Sequence, residues 1–135
     1  MASLLWYGEQ AFVVSNGTKD LLYEVAVEVA KRTDPNARQR LEEDGRLVGC
    51  YGVSGMGFEL EAFAEAFGGK EAWQRATLDH FDVVEELCRN PRCVELMAKL
   101  FRWVWFLLDG GRCNSAQGKH PSLEHLPEIP TKAKN

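Results

Sequence analysis

The stretch Asn90–Gly111, NPRCVELMAKLFRWVWFLLDGG, decides how this chain is read. Asn90 can accept a hydrogen bond from the first turn of a helix. Pro91 suits the first helical position, because its missing N–H would have no partner there anyway. Asp109-Gly110-Gly111 is a stop, since glycine takes the left-handed conformation after a helix without steric cost. At a helical repeat of about 100° per residue, Arg92, Glu95, Lys99 and Arg102 gather on one narrow strip. Apolar side chains, Leu96, Met97, Leu100, Trp103, Val104 and Leu107 among them, fill the rest. A helix apolar over more than half its circumference must be covered on several sides, so residues 91–108 are expected as a central core helix.

Outward from it, Arg89-Asn90 turns the chain out of a long helix expected over 70–88, giving an αα-hairpin. Trp73, Ala76, His80, Val84 and Leu87 share one face of that helix. Gly68-Gly69 separates it from a short helix over about 58–67, whose inner face is Leu60, Phe63, Ala64 and Phe67. Arg46–Tyr51 (RLVGCY) reads as a strand. Asp34-Pro35 opens a short polar helix that stops near Gly45. Thr18 can cap a helix reaching Arg32, in which Asp20, Glu24, Glu28 and Lys31 form the polar strip. Leu4–Tyr7 and Ala11–Val14 are β-prone runs around Gly8-Glu9-Gln10 and read as a hairpin. The expectation is an α+β domain over 1–111, in which a small antiparallel sheet (the hairpin plus the strand near 46–51) packs on about four helices. Residues 112–135, with Gly118, Pro121, Pro127 and Pro130, read as a flexible basic tail unless Leu123, Leu126 and Ile129 dock it.

Composition narrows the function classes. The 135 residues carry a formal net charge of −4. The charge divides unevenly: residues 1–111 hold 12 Lys/Arg against 18 Asp/Glu, and residues 112–135 hold four against two. An acidic folded part repels phosphate backbones, which argues against a nucleic-acid partner. No run is long and apolar enough for a membrane span, because Lys99 and Arg102 interrupt the best one. MASLLWYGEQ lacks the basic and apolar regions of a secretory signal, so the expected location is the cytoplasm. There Cys50, Cys88, Cys93 and Cys113 are expected as free thiols.

Gly49–Gly57 (GCYGVSGMG) is the one stretch that resembles a ligand loop, expected between a strand and a helix N-terminus. It matches no specific motif. A phosphate-binding loop would need Gly-Lys-Ser/Thr, a dinucleotide fingerprint from Gly55 would need glycine where Leu60 stands, and a nucleophile elbow at Ser54 would need glycine at Met56. A tight strand-to-helix turn with Ser54 as a cap is the commoner reading of such a stretch. His80, on an apolar helix face, reads first as a satisfied core histidine with one or two hydrogen-bond partners, and otherwise as a general base or a metal ligand with Cys88 or Cys93. Cys88-x4-Cys93 lacks the second ligand pair that structural zinc needs, so no metal and no cofactor is expected.

Asp79, Asp82 and Glu86 would line one exposed stripe of the long helix, and Glu42-Glu43-Asp44 form a second acidic cluster. Such faces are commonly only solvated, but they also suit a basic partner. No catalytic constellation stands out. The function these residues favour is non-catalytic protein binding, of the immunity or inhibitor kind, in which the two acidic groups mask a basic protein. One alternative is a small-ligand or enzymatic domain built on Gly52, Ser54, Gly55 and Gly57 with His80. Another is a homo-oligomer, a homodimer in the simplest case, joined through Phe106 and Trp103 on the central helix.

Overall fold

A computed structural model describes residues 2–113 and 120–129. The fold is α+β. The hairpin forms as β1 (Ala2–Tyr7) and β2 (Gln10–Ser15), antiparallel with Leu5 opposite Phe12. Leu5, Phe12 and Val14 are buried on its inner face. Ser15 rather than Thr18 caps α1 (Asn16–Thr33), its side chain accepting the Thr18 N–H. Asp34 ends α1 and caps α2 (Pro35–Glu43), with Pro35 in the first turn.

The expected strand at 46–51 does not exist. Asp44 accepts the Arg46 N–H and opens a single helical turn, α3 (Gly45–Val48). Of RLVGCY only Leu47 is fully buried, so the run has no alternating apolar face to lay on a sheet. The third strand is instead β3 (Phe58–Glu59), which pairs with β1 in parallel, Leu5 opposite Phe58. The sheet is therefore mixed, in the order β2-β1-β3. Gly57 makes this pairing possible: a Cβ there would lie 1.8 Å from the Leu4 carbonyl oxygen.

α4 (Leu60–Phe67) follows β3 directly and buries Leu60, Phe63 and Phe67. The expected helix over 70–88 is two helices, α5 (Lys70–Asp79) and α6 (Asp82–Cys88). The Thr77 hydroxyl bonds back to the Trp73 carbonyl, and the His80 N–H takes the Thr77 carbonyl, tightening and ending α5. The break lets Val83, Val84 and Cys88 face the core.

α7 (Pro91–Leu108) has the expected bounds. The Asn90 side chain accepts the Cys93 N–H at 2.9 Å, an N-cap worth about 1 kcal/mol. Met97, Leu100, Phe101, Trp103, Val104, Leu107 and Leu108 are buried against α4, α5, α6 and a C-terminal 3-10 turn, Leu123–His125. That turn meets the condition set for 112–135, because Leu123 and Leu126 dock the described part of the segment on the domain. Cys113 is buried beside β2, and Leu123 and Leu126 are buried as well. The Val13 N–H donates to the Pro121 carbonyl at 2.8 Å, and the Trp103 indole N–H to the Pro127 carbonyl at 3.1 Å. The remaining residues of that segment, 114–119 and 130–135, lie outside the described residues.

Candidate functional site

The glycine-rich loop rests on the N-terminal half of α1, and the residue that holds it is a buried lysine. Lys19 is fully buried; its Nζ donates to the Cys50 carbonyl at 2.6 Å and the Val53 carbonyl at 3.0 Å. The charge is balanced by Asp20 at 3.1 Å, and the ammonium lies 5.4 Å from the Phe58 ring centre. Asp20 in turn accepts the Gly52 N–H at 2.9 Å. Asn16 accepts the Gly55 N–H at 3.1 Å and the Ser3 hydroxyl. Gly52 and Gly55 both stand in the left-handed region, φ 77° and 82°, so these turns favour glycine.

One turn further along α1, Glu24 accepts the Tyr51 hydroxyl at 2.5 Å, and the Tyr51 ring lies 4.8 Å from that of Tyr23. The neighbouring carboxylate, first of all through this bond, pushes the Tyr51 hydroxyl up to about 12. Tyr23 itself is anchored through its hydroxyl to the Leu41 carbonyl. The loop is thus tied to α1 along four residues, from Asn16 to Glu24.

This geometry decides what the loop can do. The N–H groups of Gly52 and Gly55 point inward at oxygens of α1, so they do not form an anion cradle. β3 separates Gly57 from α4, and the loop does not open a helix. Ser54 is exposed. His80 is remote: Gly52 is fixed at Asp20, whereas Asp82, two residues past His80, is fixed at Arg32. These anchor points are about 18 Å apart along α1 at 1.5 Å per residue. The structure therefore does not assemble Gly52, Ser54, Gly55, Gly57 and His80 into one ligand or catalytic site.

Outward, the loop is apolar. Val48 is 45% exposed, Tyr51 39%, Val53 45% and Met56 44%. Exposed large apolar side chains are otherwise isolated among the described residues, at Leu78 on α5 and Phe106 on α7. Phe106 does stand against Trp103, edge to face at 5.3 Å, but Trp103 is buried.

The acidic groups are rearranged too. Because the helix breaks at His80, Asp79 does not share a stripe with Asp82 and Glu86. Asp82 and Glu86 grip Arg32 of α1 from two sides, at 2.9 and 3.1 Å. Glu42 pairs with Arg38 and Glu43 accepts from Gln39. Asp44 is bound by Arg46, whose guanidinium holds its carboxyl below the usual carboxylate range. Much of each cluster's charge is answered within the fold.

Comparison with known families, characterised proteins and solved structures finds no match to this chain. No group of three or more His, Cys, Asp or Glu side chains converges among the described residues. No described helix is long and apolar enough to cross a membrane.

Lys19 is the residue that sequence reasoning missed. The signal was present: Lys19, Leu22, Tyr23, Ala26, Val29 and Ala30 lie at helical spacing on one face and all are buried. A cation on the apolar stripe of a core helix needs internal acceptors, and the glycine-rich loop supplies them.

Proposed function

We propose that this chain is a non-catalytic protein-binding module whose recognition surface is the loop Val48–Met56. The observation that carries the reading is that four large apolar side chains stand exposed on a backbone tied down from beneath by Lys19, Asp20 and Asn16, with the Tyr51 hydroxyl held by Glu24. Apolar side chains clustered at a surface mark interaction sites more often than solvated faces do. A loop already held in one conformation also binds without a large ordering cost. The partner is a basic protein with an apolar pocket. The side chains next to the patch on α1 are Asp20 and Glu24, and residues 1–111 carry an acid excess, so a basic rim would meet complementary charge. An immunity or inhibitor type of role, masking such a partner, fits this arrangement. Asp82, Glu86 and the Glu42–Asp44 cluster contribute to encounter rather than to the contact itself.

The test compares two double variants against a partner recovered at low salt with the wild-type chain. Val53→Asp with Met56→Asp should abolish the complex while the circular dichroism melt stays unchanged, because both side chains are exposed. Asp82→Lys with Glu86→Lys should lower mainly the association rate. The reading fails if the loop variant binds as the wild type does.

A further inference from the structure

The recognition loop leaves two helix faces without a role, one on α7 and one on α5. The first lines a cavity of about 500 Å³ formed by Arg92, Cys93, Leu96, Lys99 and Glu124. Arg92 and Lys99 are seven residues apart, so they flank Leu96 on one face of α7, about 10.5 Å from each other along the axis. The second is the outer face of α5, where Glu71, Arg75, Leu78 and Asp79 border a shallow surface with Gln74. Leu78 is 57% exposed, more than any other large apolar side chain among the described residues. Arg75 and Leu78 lie between Glu71 and Asp79, which are about 12 Å apart along the axis.

The two faces complement each other in charge. The α7 cavity offers two cations, one anion and a leucine; the α5 face offers two anions, one cation and a leucine. Among the described residues, none of these six charged side chains takes part in an ion pair of the fold. Nor can the faces meet within one chain. α5 and α7 touch through Trp73 and Trp105, edge to face at 5.0 Å. At about 100° per residue, Trp73 lies on the far side of α5 from Glu71, Arg75 and Leu78, and Trp105 on the far side of α7 from Arg92, Leu96 and Lys99. Both charged faces are therefore turned away from that contact, and each can be answered only by another molecule.

We propose that the chain associates head to tail with a second copy of itself, the α5 face of one copy seated on the α7 cavity of the next. Glu71 and Asp79 of one copy meet Arg92 and Lys99 of the other, Arg75 meets Glu124, and Leu78 covers Leu96. Because the two faces differ, the contact is heterologous and repeats into open chains or a closed ring. Two faces of this size belong with the weak interfaces, and their attraction is largely between exposed charges. Assembly therefore needs high protein concentration and low salt. The loop Val48–Met56 takes no part and stays open to a different partner.

The experiment is sedimentation velocity of the full chain at about 10 µM and about 1 mM, in about 0.01 M and about 1 M salt. In low salt the wild-type mass should rise above the monomer with concentration, and in high salt it should return to the monomer. Arg92→Glu with Lys99→Glu should weaken association by about tenfold or more, and so should Glu71→Lys with Asp79→Lys, because like charges then face each other. Mixed one to one, the two reversed variants should associate again, since each supplies the face that the other lacks. Should the half-buried Lys99 not tolerate glutamate, Arg92→Glu against Glu71→Lys makes the same comparison at exposed positions. Val53→Asp with Met56→Asp should associate as the wild type does. A monomer under every condition, reversed variants that associate like the wild type, a mixture that stays monomeric, or loss of association in the loop variant would overturn the proposal.

Discussion

Replacing Lys19 by methionine removes the cation that organises the loop while keeping the apolar stem that packs near Phe58. The ammonium makes two hydrogen bonds to loop carbonyls, at 2.6 and 3.0 Å, and one ion pair with Asp20. A hydrogen bond to a charged group contributes about 1.5–3 kcal/mol, and removing one partner of a buried ion pair costs about 3–5 kcal/mol. Two features pull the total down. The side chain of Asp20 is 27% exposed, so water can cover part of its charge, and the freed carbonyls can rehydrate once the loop lifts. Lys19→Met should therefore cost about 2–4 kcal/mol in a urea titration. The local readout is sharper. Amide exchange at Gly52 and Gly55 should become fast in the variant, because Asp20 and Asn16 no longer face a fixed loop, whereas amides of α7 keep their protection up to the new global stability. A loss below about 1 kcal/mol with Gly52 and Gly55 still protected would mean that the loop holds itself and that Lys19 is incidental.

Two further outcomes follow from burial elsewhere. Deleting residues 114–135 removes two buried leucines, Leu123 and Leu126, and the Pro121 and Pro127 carbonyls that accept from Val13 and Trp103, so the melting temperature should fall by about 10 °C; an unchanged melt would show that this segment adds nothing to the core. Stability should also decline in alkali. Cys88 and Tyr51, pushed up to about 12, and Cys113 and Tyr23, also raised, keep their protons longer folded than unfolded, so their contribution is whole below about pH 9 and is lost as pH rises toward 12. Urea midpoints taken from pH 8 to 11 should fall steadily, and a midpoint that holds constant or rises would contradict these shifts.

The helices were the legible part of this sequence. α7 could be read to the residue because its cap, its proline and its terminal glycines are local signals that act before any packing. The hairpin was equally local. The third strand was not, since Phe58-Glu59 is only two residues long and gains its identity from Gly57 allowing the chain to approach Leu4, a contact 53 residues away. RLVGCY carried β-prone residues, but Asp44 offered the backbone a cap, and a side chain bonded to its own turn outcompeted a weak strand preference. The break at His80 was hidden for a related reason. The apolar spacing from Trp73 to Leu87 is continuous, and only the back-bonded Thr77 marks where the helix stops. The loop itself was visible as an unusual stretch, but its meaning lay in Lys19, whose partners are more than 30 residues away in the chain.

The same bonds explain why the apolar loop stays exposed. A flexible loop carrying Val48, Tyr51, Val53 and Met56 would lower its free energy by folding those side chains against the protein, since each removes apolar surface from water. Here the backbone is not free to do so. The Cys50 and Val53 carbonyls are committed to Lys19, and the Gly52 and Gly55 amides to Asp20 and Asn16; lifting either carbonyl would take an acceptor from the buried Lys19 ammonium. Tyr51 is drawn inward by Tyr23 and Glu24, at the outer end of an aromatic series that continues through Phe58, Phe63 and Trp73 to Trp105. Two carbonyls and two amides of the loop are spent on holding it, and its large exposed side chains, Val48, Tyr51, Val53 and Met56, are what remains to meet another molecule. A small ligand would need amides pointing outward. A protein surface needs a rigid apolar patch with charge at its edge, and residues 48–56 over Asp20 and Glu24 supply one.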